Sequence, residues 1–382
     1  MKFAHLGDCH LGGWRQPELA SLTMQSFAFA IDKCIKEKVE FILIAGDLFD
    51  TAQPPIETLK ETFREFRKLK EANIPVFLIA GSHDYSASGK TFLDVLEEAG
   101  LAKNVFIAEK RGNSIILQPT IHKNFAIYGY PGKKSGLEVP EIEKIKLQDS
   151  PGFFKILMLH TAIRDAIGSL PILAVDETKL PKVDYLALAH LHINYSKNNR
   201  VYCGPTFPNN SSELEELQSG SFYIVNIPGN AEKQLIKLKE VEIISLEIKN
   251  SIEATSKIIL ELKSRELKNK IVILKLSGSL EIGKKSDINF AEIEKYVKSR
   301  EAYVLLKSMS KLYTRETELK LEVNSENLED EIINRFQKEH QSQFNIWIPE
   351  LLNSLNSEKK EDELSKNFEE RVFDEVNRVL KI

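Results

Sequence analysis

Five short apolar runs in this chain each end in residues that bind metals. Met1–Leu6 leads to Asp8 and His10, Ile42–Ala45 to Asp47, and Pro75–Ala80 to Gly81, Ser82, His83 and Asp84. Farther on, FFKILMLH ends at His160 and DYLALAHLH at His190 and His192. An apolar run of strand length that stops at a polar residue reads as a buried strand opening into a loop. Five of the eight histidines sit at such ends, which sets them apart from a lone histidine near a core. Asp8 and His10 are two apart, as are His190 and His192, so extended backbone would turn each pair to one side. Carboxylates mixed with imidazoles suit manganese, iron or zinc better than calcium.

The candidate ligands Asp8, His10, Asp47, His160, His190 and His192, with Ser82 as a further one, exceed the needs of one ion. Two ions, roughly 3.5–4 Å apart, would use them all if Asp47 bridged. Such a pair clamps a phosphate oxygen and activates water for in-line attack on phosphorus. His83 should face otherwise than Ser82, toward substrate, as proton donor or transition-state contact. The plainer alternative is a hydrogen-bond partner behind the ligands.

These ends need a frame. Phe27, Ala30, Ile31, Cys34 and Ile35 fall at helical spacing between the first two runs, and Pro54 and Pro55 precede a second helical stretch at 56–72. A third stretch, opened at Lys90, stops at Gly100. This βαβ rhythm predicts parallel strands with right-handed crossovers. Short strands recur over 104–129, and the turn YGYPGKKSG carries Lys133 and Lys134. It is either a solvated hairpin tip or a phosphate-contacting loop beside the metals.

RVYCGP and SFYIVNI read as strands that close a first domain over residues 1–235. Alternating strand and helix patterns, including a helix at 252–267, make a small α/β module at 240–312 with no ligand cluster, placed to guide substrate. The tail, 325–382, is helical and acidic, with 14 acidic against 8 basic residues. Leu364, Phe368, Val372 and Val376 fall four apart on one stripe. It is either packed on itself or offered to the groove of a partner.

With 382 residues the chain should hold two or three units. A net charge of −4 argues against coating nucleic acid by bulk positive potential, so an anionic substrate must be held by metals and local Lys or Arg. Cys9, Cys34 and Cys203 are odd in number and far apart, which excludes a disulfide framework and a cysteine zinc cluster. No apolar run reaches the roughly 18 residues of a membrane span. The N-terminus enters a strand at once, and the expectation is an unexported, cytoplasmic protein.

Taken in order, D-x-H at Asp8–His10, GDLFD at Gly46–Asp50, GSHD at Gly81–Asp84, His160, and H-x-H at His190–His192 resemble the calcineurin-like metallophosphoesterases. Within them the chain looks most like the Mre-eleven/SbcD nucleases of DNA double-strand-break repair. The resemblance covers residues 1 to about 230 well and 240–312, the family's capping domain, less specifically. It implies an α/β fold: a β-sandwich flanked by helices, a small α/β capping domain and a C-terminal helical tail.

By position it also implies two manganese ions per chain. Asp8, His10, Asp47 and His192 would hold one, and Asp47, Ser82, His160 and His190 the other, with His83 at the transition state. The family usually has asparagine where Ser82 stands. A homodimer through Leu59, Val95 and Ala99 is implied, as is an SMC-like coiled-coil ATPase of the Rad-fifty/SbcC type gripped by the tail. The expectation is therefore a manganese-dependent DNA exo- and endonuclease acting at broken ends, at the nucleoid. A small-nucleotide phosphodiesterase is the alternative, as is a repair scaffold with weakened catalysis.

Overall fold

The computed structural model describes residues 1–85, 91–168, 172–314, 337, 342, 345–355 and 365–380. They form two compact units, Met1–Tyr313 and Thr314–Ile382.

Two six-stranded sheets make the frame of the first unit. One runs, edge to edge, Ala231–Ile236, Gly220–Asn226, Lys2–Leu6, Ile42–Ile44, Val76–Leu78 and Lys103–Asn104. Its last four strands are parallel, as the βαβ rhythm predicts. The second runs Tyr195–Lys197, Arg200–Tyr202, Tyr185–Ala189, Phe154–His160, Phe125–Tyr130 and Thr120–His122, with its four central strands parallel.

The sheets pack face to face because alternate residues of each are large and apolar. Phe3, Phe41, Leu43 and Phe77 of one meet Phe125, Ile156, Met158 and Tyr185 of the other. The residues between them point outward. Ala4, Leu6, Ile42 and Ile44 lie under helices Pro17–Lys36 and Ile56–Glu71. Leu157, Leu159, Leu186 and Leu188 lie under the one-turn helix Val139–Ile142 and a three-stranded sheet that includes Ser114–Leu117 and Ile145–Leu147. Strands covered on both faces must be apolar at every position, which is why they read as runs and not as alternation.

A third set of elements has its own core. Strands Val241–Glu247, Ile271–Leu280 and Val304–Thr314 form a sheet, and helices Ser251–Lys263 and Phe290–Ser299 pack on one face of it. The opposite face presents Ile271, Ile273 and Leu306 to Leu19, Leu22, Phe207 and Leu214. The first of these helices ends short of the expected Leu267, which instead folds back, fully buried, into this core. Likewise helix Phe92–Glu98 starts after Thr91, whose N–H donates to Asp94, while Lys90 lies outside the described residues.

In the second unit, helices Ile348–Leu355 and Ser365–Leu380 touch each other. Phe368, Val372 and Val376 are half-buried on the latter, and Leu364 lies outside the described residues. Among the described residues no helix is long and apolar enough to cross a membrane.

Candidate metal centre

Where the Lys2–Leu6 and Ile42–Ile44 strands end, their hydrogen-bond ladder does not. Asp8 N–H donates to Gly46 O, His10 N–H to Asp47 O and Leu11 N–H to Leu48 O, each at 3.0 Å. The two loops are thus laced together. Asp8, His10 and Asp47 have φ of 48°, 43° and 50°, and His190 has 96°. This corrects the expectation that extended backbone aligns Asp8 with His10 and His190 with His192. Left-handed backbone costs about 1–2 kcal/mol at a residue with a side chain. Here the laced main chain and the tight turns hold it in place.

Close packing fixes the rest. A Cβ at Gly81 would lie 2.2 Å from Asp47 Oδ1, and one at Gly46 2.4 Å from His160 Nδ1, so only glycine fits either place. Asp84 is buried, and its carboxylate accepts from the N–H groups of Leu48, Phe49 and Gly81. Burial and then the nearby Asp47 charge raise its carboxyl to about 6, against the pull of those three donors.

The predicted ligands converge in two groups that share one oxygen. In the first, His10 Nε2 and His192 Nε2 are 3.0 Å apart, Asp8 Oδ1 is 4.0 Å from His192 Nε2, and Asp47 Oδ2 is 3.8 Å from His10 Nε2. In the second, the same Asp47 Oδ2 lies 3.1 Å from His160 Nε2 and 3.4 Å from Ser82 Oγ. His190 stacks its ring edge-on to His160, centroids 5.0 Å apart, and its N–H donates to both oxygens of Asp8 at 2.9 and 3.0 Å.

Three of the imidazoles are held from behind. His10 Nδ1 meets Asp50 Oδ1 at 3.1 Å, His192 Nδ1 meets Glu213 Oε1 at 2.9 Å, and His160 Nδ1 donates to Ala45 O at 2.9 Å. With Nδ1 engaged outward, Nε2 is the nitrogen left for the centre, the usual disposition of a metal-bound histidine. His160 Nε2 is buried and turned to the Asp47 carboxylate, 3.1 Å from Oδ2, so a nitrogen and an oxygen donor face each other away from water. The residues therefore fit a pair of divalent ions.

The charges agree. Burial opposes a proton on His160, but the facing Asp47 carboxylate outweighs it and lifts the imidazole to about 9. Burial likewise opposes charge on His192, and Asp8 and Glu213 together lift it to about 9. Asp47 is itself buried, yet the imidazoles of His160 and His10 hold its carboxyl far below the usual range. Burial and the neighbouring His160 lower His190.

His83 borders the first group: its ring lies edge-on to that of His10, centroids 4.8 Å apart, and His10, Asp50 and His83 bring a third set of donor atoms together. Its N–H donates to Asp47 Oδ1 at 2.7 Å, its Nδ1 lies 2.7 Å from Asp50 O, and 46 % of its side chain is exposed. It borders a cleft of about 640 Å³ together with Ser82, His190, Lys133 and Lys134. The lysine turn is thus beside the metal groups and not at a remote tip, although Lys133 is already paired with Glu141. Leu59 is half-buried against the helix layer of the first sheet, whereas Val95 and Ala99 are exposed.

Sequence reasoning missed Asn209 and Glu213 and left Asp84 and Asp50 without a role. Asp84 follows His83 in the GSHD motif, and Asn210 with Glu213 has the spacing of a helix cap, so both carried a local signal. Nothing local joins Glu213 to His192 or Asp50 to His10.

The calcineurin-like phosphoesterase family matches residues 1–194. The DNA double-strand break repair protein Mre11 of Methanococcus maripaludis is 30% identical over 277 residues, covering 65% of this chain and 70% of that one. Its counterpart in Archaeoglobus fulgidus is 26% identical over 364 residues, covering 84% and 80%. That of Methanocaldococcus jannaschii is 29% identical over 270 residues, covering 67% and 70%. The chain accordingly belongs to the calcineurin-like phosphoesterases and, within them, to the Mre11 group of metal-dependent phosphodiesterases.

Proposed function

We propose that the protein is a manganese-dependent DNA nuclease, both exo- and endonucleolytic, acting at double-strand breaks. The observation that carries this reading is the Asp47 Oδ2 oxygen common to two clusters of imidazoles. Asp8, His10, Asp47 and His192 would hold one Mn2+, and Asp47, Ser82, His160 and His190 the other. A mixed carboxylate and imidazole set suits that ion. When bound, the pair supplies Lewis-acid stabilisation of phosphate charge and a more acidic water.

The chain's own residues do the rest. Asp84 fixes the two loops that carry Asp47 and Ser82. His83, held through Nδ1 by the Asp50 carbonyl, keeps Nε2 for the leaving oxygen at the cleft. Lys134, exposed on the cleft wall, is placed to meet a phosphate. The domain reading 1–235, 240–312 and 325–382 gives the second part the task of guiding duplex DNA and the third the grip on an SMC-like ATPase of the Rad-fifty type, through the stripe of Leu364, Phe368, Val372 and Val376. Leu59, Val95 and Ala99 would join two copies in a homodimer. The relatives named for double-strand break repair support DNA as the substrate.

The test offers purified protein and Mn2+ both duplex DNA and a small chromogenic diester. Cleavage of DNA supports the nuclease, hydrolysis of the diester alone replaces it with a small-nucleotide phosphodiesterase, and no hydrolysis with a single bound ion leaves a scaffold.

A further inference from the structure

The two imidazoles of the first group are joined behind their backs. From His192 Nδ1 the path runs 2.9 Å to Glu213 Oε1. The other oxygen, Glu213 Oε2, accepts from Asn209 N–H at 2.8 Å. Asn209 Nδ2 then donates to Asp50 Oδ1 at 3.1 Å, and that same oxygen meets His10 Nδ1 at 3.1 Å. His160 in the second group has a main-chain carbonyl behind it instead. The arc therefore serves one half of the centre only.

The segment that supplies the arc also belongs to another contact. Asn210 caps helix Ser211–Leu217 by accepting from the N–H groups of Ser212 and Glu213. Leu214, one residue past Glu213, is buried with Ile271, Ile273 and Leu306 of the 240–312 module. Glu215, one residue further, is paired with Lys275 of the same module. One short helix thus touches a ligand histidine at its start and the module along its side.

We propose that Glu213 and Asn209 are positioning residues that set the geometry of His192 and His10, and that this half of the centre is thereby tied to the seating of the 240–312 module. The inference rests on the two-ion reading above. A carboxylate behind a ligand imidazole fixes the tautomer and ring plane and raises the basicity of the other nitrogen, and its loss costs about 10–100-fold in metal affinity. Because the Glu213 carboxylate is anchored by the helix that the module packs against, a shift of the module moves it relative to His192.

The experiment titrates full-length protein with Mn2+ alone and counts the free ion by its electron paramagnetic resonance signal. Wild type should take up two ions. E213Q, which keeps the shape of the side chain, should weaken one of them by about 10–100-fold and leave the other unchanged, with the melting transition retained. K275A, at the module contact and remote from the ligands, should weaken the same ion by a smaller factor. If E213Q titrates like wild type, or loses both ions together with its melting transition, Glu213 has no positioning role. An effect in E213Q with none in K275A overturns the tie to the module. Failure of the wild type to bind Mn2+ would instead sink the two-ion reading.

Discussion

His160 faces Asp47 with Nε2 3.1 Å from Oδ2 while its other nitrogen donates to the Ala45 carbonyl. The imidazole is therefore held at both nitrogens.

Ion uptake should release protons. His160 and His192 are raised to about 9 by the carboxylates that face them, so at neutral pH the metal-free centre holds protons that binding must displace. The sign follows: Mn2+ affinity rises with pH toward about 9 and falls as pH drops, by up to tenfold per unit for each proton displaced. Calorimetry at pH 7 in two buffers of different ionisation heat reads the proton count, and a count of zero would refute the assignment.

Replacing His83 should separate chemistry from binding. The ring lies edge-on to His10 but is half-exposed on the cleft, so H83Q should lower kcat by about 10²–10⁴-fold while two ions still bind. Loss of an ion in H83Q would make it a ligand and remove the proton-donor role.

Ser82 Oγ sits 3.4 Å from Asp47 Oδ2, a short side chain at the mouth of the second group. The longer amide in Ser82→Asn should tighten the ion held with His160 and preserve or raise nuclease activity. A drop in both would show that the hydroxyl is the better fit.

His5 gives a stability prediction away from the metals. It is wholly buried against the Tyr185 hydroxyl, and burial lowers its imidazole to about 3 from 6.5. Above 6.5 it is neutral folded or unfolded and contributes no slope. Below that the unfolded chain takes up a proton first, so stability drains away from about 6.5 down to about 3, by up to about 1.4 kcal/mol per pH unit. Denaturant titrations of wild type and H5Q across that window should differ in slope by this amount; parallel curves would exclude it.

Removal of the tail from Ser325 should spare hydrolysis of small diesters and abolish association with a coiled-coil ATPase. Co-purification of the truncated chain with that ATPase would contradict the tail's assignment.

The parts of the site readable in sequence were those set by burial on both sides. Runs such as ILIA and ILML are apolar throughout because helices and a second sheet enclose them, and the first polar residue after each marks the rim. The conformations at that rim were not readable. The residues two apart suggested extended backbone, whereas Asp8 and His10 are left-handed because their amides turn to join the neighbouring loop. Nor were the supports readable: Asn209 and Asp50 are 159 positions apart, and their meeting depends on how the sheets stack. The lysine turn shows the same limit, since only the fold puts Gly132 against His160.

The lacing of Asp8–Leu11 to Gly46–Leu48 has one more result. Surface loops ordinarily fray on their own, at little cost in free energy. These two cannot, because each is the other's hydrogen-bond partner in continuation of the strands behind them. To splay the rim, the central pair of strands in the sheet must unzip, which gives the place where substrate would be cut the stiffness of the protein's interior.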